Sequence, residues 1–333
     1  MALFKTPNID FVGLRWPALA LSVLVIAVGL AVTVVRGSLP LGIDFSGGSL
    51  IILKFEQPVG EGAVRGALAM IPEKVIQQYG DIGDNEVLVR LPISGPEEGV
   101  SLEAGANDVM AALEGGGLGD FEVIGQELVG PVIGQELQQR GISAFVFAMA
   151  GILIYIGLRF RFSFAVGAVV AVAHDIAITL SLLTFLGYEL SLNVVAAMLT
   201  ITGYSVNDSI VVFDRVRENL RGMRRDTFAD LVNVSINQTL ARTIITSGTT
   251  GVAVLALFVF GGEVLEGFAF TMLVGVFSGT YSTIFIAAMI AIVITERKAT
   301  RVRQANVPVA SKNEAISQRP KRRSRKARAS RAS

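Results

Sequence analysis

The sequence contains no cysteine and only one histidine, His174. The lack of cysteine excludes disulfides, thiol catalysis, iron–sulfur clusters and thiolate zinc sites. A single histidine argues against a multi-histidine metal site, so no metal is expected. Charged residues are also scarce, at 17% of 333 residues against 52% hydrophobic ones, whereas soluble domains carry about 25% charged residues. With a mean hydropathy of +0.58, the chain is expected to be an integral membrane protein.

The formal net charge of +1 conceals an uneven distribution. Residues 304–333 contain nine Lys or Arg and one acid, so this end carries +8 and the rest of the chain −7. We expect residues 295–333 to form a basic, disordered tail. Membrane lipid is its expected partner, because anionic headgroups attract basic residues by about 1 kcal/mol each. Nucleic acid is not expected as a partner, although such a tail leaves that question open.

Six apolar stretches are long enough to cross a bilayer as helices, which takes about 20 residues. The first has no small-residue cleavage site, and its apolar core is longer than that of a signal peptide, so we expect it to remain as a membrane helix. The predicted spans, TM1 to TM6, are 16–35, 141–159, 163–187, 190–214, 243–261 and 267–294.

Lysine and arginine cluster before TM1, between TM2 and TM3, between TM4 and TM5, and after TM6. With six crossings, all of these segments lie on one side of the membrane, which the positive-inside rule makes the cytoplasm. Residues 1–15, the segment 215–242 and the tail are therefore expected to be cytoplasmic, and the arginine-rich segment 215–242 to form amphipathic helix. Residues 36–140, with 16 acids and 6 bases, are expected outside.

The outer segment 36–140 has the pattern of a small folded domain. Strands are predicted at 49–55, 74–79, 86–91 and 121–128, and helices at 62–71 and 102–113. The order β-α-β-β-α-β is typical of a ferredoxin-like fold. The expected fold class is a polytopic α-helical membrane protein with six transmembrane helices and a small α+β domain between the first two.

Ionisable groups inside membrane spans are costly unless paired or hydrated, and Asp208 is the outlier among them. It lies in GYSVNDSIVVFDR in TM4, with apolar residues on both sides. Burial disfavours its charged form and a nearby cation favours it, so Asp208 is expected to gain and lose a proton. The alternative is a packing residue that is hydrogen-bonded to a neighbouring Ser, Thr or Asn.

The other polar groups allow two interpretations each. Arg242, at the start of TM5, either extends to the lipid headgroups or faces Asp208 as its cation. His174 and Asp175, mid-way along TM3, form either a proton relay or a structural pair. Asp214 belongs to a charged run that is ordinarily a solvated anchor. The candidate proton-coupling residues are Asp208, Arg242, Asn207, Asp214, His174 and Asp175.

Nothing in the sequence indicates catalysis. The glycine-rich GIDFSGG at residues 42–48 lacks the GK[ST] ending of a phosphate-binding loop, and it predicts a turn into the first strand. No nucleophile, base and oxyanion arrangement is visible. We therefore expect neither enzymatic activity nor a cofactor.

Four motifs resemble the SecD/SecF family of protein-export membrane proteins, which is related to the RND transporters. They are GIDFSGGSLI after TM1, HD in TM3, GYSVNDSIVVFDRVREN in TM4 and SINQTLARTIITSGTT entering TM5. Their order and spacing are similar to the SecF branch over about residues 5–300. The resemblance implies half of an RND-like bundle, with SecD supplying the other half.

The resemblance also implies a location and a mechanism. Such a complex lies in the bacterial inner membrane, docks on SecYEG, often with YajC, and uses the proton motive force at the late, SecA-independent stage of moving an exported, unfolded polypeptide. In the family, the acid of VND and the arginine of TLAR are linked to proton transport, and these match Asp208 and Arg242. Two alternatives stay open: an RND-type proton-coupled exporter of small molecules or lipids, and a non-transducing assembly subunit of the translocon.

Overall fold

The computed structural model describes residues 7–71, 74–80, 83–91, 100–160, 162–222 and 227–305. Within them, six helical segments are long and apolar enough to cross a membrane, which confirms the predicted class of multi-pass membrane protein. They are α1 (Arg15–Arg36), α5 (Pro131–Arg159), α6 (Phe162–Leu186), α7 (Leu192–Gly222), α8 (Phe228–Phe260), and a last segment made of α9 (Glu263–Ser282), a π-helical turn (Thr283–Ala287) and α10 (Ala288–Ala305).

Several helices are longer than the predicted spans. Helix α5 begins at Pro131, where a proline at the first helical position follows Gly130. Most of the predicted amphipathic segment 215–242 continues the membrane helices, since α7 ends at Gly222 and Thr227 caps α8 by accepting a hydrogen bond from the Asp230 amide. The apolar pattern marks only the part of a helix that is suited to lipid, so it does not reveal these polar extensions.

The prediction of a disordered tail from residue 295 is wrong for residues 295–305, which continue α10. Charged residues such as Glu296, Arg297 and Lys298 lower the local hydropathy, so the apolar pattern stops there. Glutamate, arginine and lysine are nevertheless good helix formers. The tail beyond residue 305 and the first six residues of the predicted N-terminal segment lie outside the described residues.

The segment between α1 and α5 contains the predicted α+β domain. Its antiparallel sheet has the order β2-β3-β1-β4, as in a ferredoxin-like fold. Leu53, Val87 and Val89 point from the sheet into a core that two helices close. The elements are β1 (Gly48–Phe55), α3 (Glu61–Ala67), β2 (Val75–Tyr79), β3 (Glu86–Leu91), α4 (Val100–Gly115) and β4 (Phe121–Val129).

The glycine-rich motif forms a one-turn helix, α2 (Ile43–Ser46), and then the entry to β1. Gly47 and Gly48 have φ angles of 69° and 131°, which side chains other than glycine adopt only with strain. Gly134 of α5 packs here, because a Cβ at this position would lie 3.1 Å from the Gly47 amide nitrogen. The paired glycines therefore serve a backbone turn against α5.

Polar contacts connect the α+β domain to the membrane helices. Arg90 of β3 forms a 2.6 Å ion pair with Glu189, in the short connection between α6 and α7, and donates a second hydrogen bond to the Leu41 carbonyl. The Asp44 carboxylate accepts a hydrogen bond from the Leu192 amide at the start of α7. Burial raises the pKa of Glu189 above its usual range, and Arg90 opposes that shift.

Candidate proton-coupling site in the helix bundle

Two aspartates lie buried in the bundle, Asp175 on α6 and Asp208 on α7, with 2% and 3% of their surface exposed. Among the residues that the structure describes, Asp175 and Asp208 are the two buried carboxylates. Because an ionised carboxylate in a membrane protein interior needs hydrogen-bond donors or a cation, the surroundings of each aspartate indicate what it can do.

Asp208 has almost no donors. Its nearest hydroxyl, Ser247 of α8, is 3.5 Å from Oδ2, at the limit of a hydrogen bond. The Ser247 hydroxyl also lies 2.6 Å from Thr280 Oγ1, and Thr280 donates its own hydrogen to the Val276 carbonyl. The single Ser247 hydrogen therefore has two candidate acceptors, Thr280 Oγ1 and the Asp208 carboxylate, and the contact with Asp208 is the longer of the two.

Asp208 is therefore weakly hydrogen-bonded for a buried carboxyl group. Tyr204 completes the chain by donating to Ser247. A protonated Asp208 can itself donate to Ser247 Oγ, whereas an ionised one has only the 3.5 Å contact with the Ser247 hydroxyl. This arrangement is compatible with a carboxyl group that exchanges a proton and with one that joins α7 to α8.

The side chain of Arg242 on α8 is exposed, as expected of an arginine that extends to the lipid headgroups, and within the described part of the chain no ion pair joins it to Asp208. Asn207 is exposed as well, although it is adjacent to the buried Asp208.

A face of α7 is lined by small and polar side chains that are exposed in the part of the chain that the structure describes. Its exposed residues recur every three or four positions, which places them on one side of the helix. A Cβ at Gly203 would have no neighbour within 4 Å. We call this surface the small-residue face; it consists of Ala196, Thr200, Gly203 and Asn207.

Asp214 lies apart from this site. It is exposed at the end of the bundle, and Arg159 contacts it at 3.4 Å. An exposed ion pair of this length contributes little to stability. The structure therefore places Asp214 in the solvated charged run and not beside Asp208.

Asp175 has the opposite surroundings to Asp208. Its carboxylate accepts hydrogen bonds from Ser205 of α7 at 2.6 Å and from Ser278 and Ser282 of α9 at 2.6 and 2.8 Å. His174 Nδ1 lies 3.2 Å from Oδ1. The sequence analysis missed these serines, although the spacing of residues 278 and 282 by one helical turn gives them a common face.

His174 extends this cluster to α1. Its Nε2 lies 2.9 Å from Ser22 Oγ, and Ser22 Oγ lies 2.9 Å from the Tyr281 hydroxyl. Tyr281 also stacks on the imidazole ring, with the ring centroids 5.8 Å apart. No pattern in the sequence pointed to α1, because Ser22 is a single hydroxyl in an apolar span. Within the described residues, no group of three or more His, Asp or Glu side chains is placed to hold a metal ion.

Family comparisons agree with these motifs. The family model described as protein export membrane protein SecD/SecF, C-terminal, matches residues 109–297, and the SecD/SecF GG motif matches residues 39–59. The chain belongs to the SecD/SecF family. This confirms the predicted resemblance, and the GG motif of the family covers the Gly47–Gly48 turn described above.

The similar SecD/SecF members are SecF proteins. Protein translocase subunit SecF of Desulfurispirillum indicum is 43% identical over 289 residues, covering 85% of this chain and 90% of the relative. The SecF of Pseudomonas aeruginosa is 41% identical over 291 residues, covering 86% and 92%. These relatives support the predicted role of a SecF-like subunit in Sec protein export.

A solved structure supports the same fold. The crystal structure of SecDF, a translocon-associated membrane protein from Thermus thermophilus, matches with a TM-score of 0.77 and 37% identity. The match covers 88% of this chain but 40% of that chain, so this chain spans about two fifths of the SecDF polypeptide. The RND-like architecture that the motifs predicted is thereby confirmed for this SecD/SecF family member.

Proposed function

We propose that this chain is the SecF subunit of a bacterial inner-membrane complex that couples the proton motive force to protein export. With SecD it promotes the late, SecA-independent stage of moving an unfolded polypeptide through SecYEG, with YajC as a further partner. Both termini lie in the cytoplasm, and the α+β domain faces outward. The observation that carries the proposal is Asp208, a buried carboxyl group whose hydroxyl contact with Ser247 is as long as 3.5 Å, next to an exposed helix face.

The small-residue face is the proposed contact with SecD. Small side chains allow close approach of membrane helices, and Gly203 and Asn207 belong to the stretch of α7 that contains Asp208. A SecDF chain is more than twice as long as the part that this chain matches, which leaves room for a second half-bundle. Covering this face would bury Asn207 and remove water from the surroundings of Asp208.

In the proposed cycle, Asp208 takes up and releases a proton that moves down the gradient. A charge that crosses the membrane gains about 2.3 kcal/mol per 100 mV, which is enough to shift a helix-packing equilibrium by about fiftyfold per proton. Loss of the proton creates an anion that Arg242 attracts, and protonation abolishes that attraction. The helices repack as a result, and α1 and α5 transmit the change to the α+β domain.

The residues predicted for coupling take different roles in this proposal. Asp208 carries the proton, Arg242 is its cation, and Asn207 lies at the contact with SecD. Asp214 is an anchor at the cytoplasmic surface. His174 and Asp175 belong to a separate cluster, discussed below. Every step is a proton transfer or a helix movement, so the proposal includes no covalent catalysis.

The test is precursor secretion in cells that are depleted of the native protein and supplied with Asp208→Asn. Asparagine keeps the shape of the side chain but cannot carry the proton, so we expect secretion to fall by about a hundredfold, the lower end of the loss typical of a removed proton-transfer group. Asp214→Asn is the matched control, because it makes the same chemical change at an exposed site, and it should secrete normally.

Membrane abundance and co-purification with SecD are measured in the same cells. Lost secretion with normal assembly supports proton coupling. Normal secretion by Asp208→Asn would instead favour the second candidate, a subunit that stabilises the translocon by packing alone. That candidate draws on the small-residue face, which serves assembly whether or not a proton moves.

A further inference from the structure

The hydrogen bonds around His174 form a chain with a defined direction. The chain ends at the Ala18 carbonyl on α1, which only accepts, so the Tyr281 hydroxyl donates its single hydrogen there at 2.5 Å. The contact between Ser22 and Tyr281 can then be a hydrogen bond only if Ser22 is the donor. Each hydroxyl has one hydrogen, and both hydrogens are now assigned.

This assignment determines what His174 must do. Since the Ser22 hydrogen points to Tyr281, the contact between Ser22 and His174 requires Nε2 to carry a hydrogen and donate it. On the other side of the ring, Nδ1 faces a carboxylate oxygen of Asp175, so a hydrogen lies between these two atoms as well. With these two hydrogens, the His174 imidazole and the Asp175 carboxylate together carry no net charge.

The shared proton belongs on the histidine. Hydroxyls of Ser205, Ser278 and Ser282 donate to the Asp175 carboxylate, and donors of this kind stabilise the ionised form of an acid. The imidazolium in turn supplies the cation that a buried carboxylate requires. Asp175 and Asp208 thus contrast: the first has three close hydroxyl donors and a cation, and the second has one hydroxyl contact at 3.5 Å.

We propose that His174 and Asp175 form a second proton-binding site in the bundle, an imidazolium–carboxylate pair at the junction of α1, α6 and α9. The ligand of this site is one proton, held in addition to any that Asp208 carries. Ser22 and Tyr281 are its positioning residues, because they keep Nε2 protonated. The use of this proton in export rests on the proposed function, whereas the protonation state itself does not.

Each helix that packs on α6 contributes groups near the pair, and few of these groups are charged or titratable. Helix α9 contributes Tyr281 as the only further titratable group in contact with His174 within the described residues. Helix α1 contributes the neutral Ser22, and α7 contributes Ser205, with Asp208 one turn further along. The π-helical turn has no charged residue, and on α5 Arg140 pairs with Glu136 and Arg159 with Asp214.

A cleft borders the pair. A mainly apolar cleft of about 370 Å³ lies between α1, α6 and α9, and His174, Ser22 and Tyr281 form part of its wall. If the proton leaves, the Nδ1 lone pair faces the Asp175 carboxylate and the hydrogen bond between them is lost. The hydrogen bond between Asp175 and His174 therefore depends on the proton, whereas the contact of Nε2 with Ser22 on α1 does not.

Nitrogen-15 NMR of the full-length chain in lipid nanodiscs tests the proposal directly. His174 is the only histidine, so ¹⁵N-histidine labelling and a purification tag without histidine give signals from this residue alone. Near neutral pH we expect two protonated, pyrrole-type nitrogens. A pyridine-type nitrogen under these conditions, showing a neutral ring, would overturn the proposal.

Two variants keep the test independent of folding. Tyr281→Phe retains the stacked ring but frees the Ser22 hydrogen to donate to Nε2, so a pyridine-type nitrogen should appear at lower pH than in the wild type. Phe285→Leu, which alters a neighbour of Tyr281 without touching the hydrogen bonds, should behave like the wild type. Identical titrations of Tyr281→Phe and wild type would contradict the proposed role of the chain. Secretion by Asp208→Asn has no bearing on these signals, so the two proposals fail separately.

Discussion

At the scale of single residues, the two buried aspartates show that hydrogen-bond donors matter more than depth of burial. Both carboxyls are almost inaccessible, yet three hydroxyls contact Asp175 at 2.6–2.8 Å and one contacts Asp208 at 3.5 Å. A charged carboxylate with three close donors is a stable part of the structure, and one with a single long contact gains more from protonation. This difference makes Asp208 the better candidate for a group that cycles.

Glu189 gives a second prediction at this scale. Burial raises the pKa of Glu189, so Glu189 is protonated at a higher pH when it is packed against Arg90 than when it is free in water. The packed conformation then binds more protons than the conformation in which Glu189 is separated from Arg90. The stability of the packed conformation therefore rises as the pH falls through the raised pKa towards the usual glutamate pKa of 4.5. We expect amide hydrogen exchange in residues 187–191, corrected for intrinsic rates, to slow on mild acidification.

Glu189→Gln is the control for this measurement, since a neutral amide cannot titrate and its exchange should not change with pH in this range. Faster exchange of the wild type on acidification would mean that loss of the ion pair with Arg90 outweighs the desolvation of Glu189. In that case the sign of the predicted effect would be wrong.

Residue types and motifs indicated part of this site, but hydrogen-bond directions required the fold. Asp208 stands out in the sequence because a carboxyl among apolar residues is rare. The serines around Asp175 are ordinary helix residues in α7 and α9, and only their meeting in space gives them a role. Arg242 illustrates the remaining gap, since a residue at the start of a span has the same pattern whether it faces lipid, water or another subunit.

At the scale of elements, close contact between α1 and α6 supports the chain of hydrogen bonds at His174. A Cβ at Gly29 would lie 2.2 Å from Ser181 Cβ, so only glycine allows the two helices to approach this closely. The same approach brings Ser22 of α1 within reach of His174 on α6.

Gly29→Val is therefore expected to separate α1 from α6. The side chain cannot fit against Ser181, and we expect a loss of about 1–3 kcal/mol, as for overpacking of a well-packed contact. Thermal unfolding in detergent measures the loss, and the His174 nitrogen signals should change with it. Gly151→Val on α5 is the control, because a Cβ there meets nothing within 4 Å. Equal effects of the two substitutions would contradict the importance of this contact.

The elements themselves were largely predictable from periodicity. Alternating apolar residues identified each strand of the α+β domain, since one face of its sheet packs on helices. The ends of the helices were less accessible, because the polar extensions of α7, α8 and α10 have no apolar stripe to mark them. Hydropathy describes the lipid environment, and a helix can continue beyond it.

At the scale of the whole molecule, the chain has the surface of one half of a larger bundle. Helix α8 exposes Ile244, Ile245 and Val252, which suits lipid, whereas the small-residue face of α7 suits a neighbouring helix. A membrane protein gains little from exposing glycine and asparagine to lipid, so this face points to a protein partner.

Gly203→Leu tests that assignment. A larger side chain has free space in the isolated chain, so the fold should be retained, but it would keep a partner helix from close approach. We expect co-purification with SecD to fall by about tenfold or more, which corresponds to a loss of roughly 1.4 kcal/mol in binding. Gly157→Leu on α5 is the matched control, since a Cβ there also has open space.

The combination of these variants separates assembly from coupling. If Gly203→Leu loses SecD while Gly157→Leu keeps it, the small-residue face is the contact, and secretion should fail because the complex is absent. Asp208→Asn should fail in secretion with the complex intact. Unchanged co-purification for Gly203→Leu would mean that SecD binds another surface of the chain, and the exposed Asn207 would not have the role proposed here.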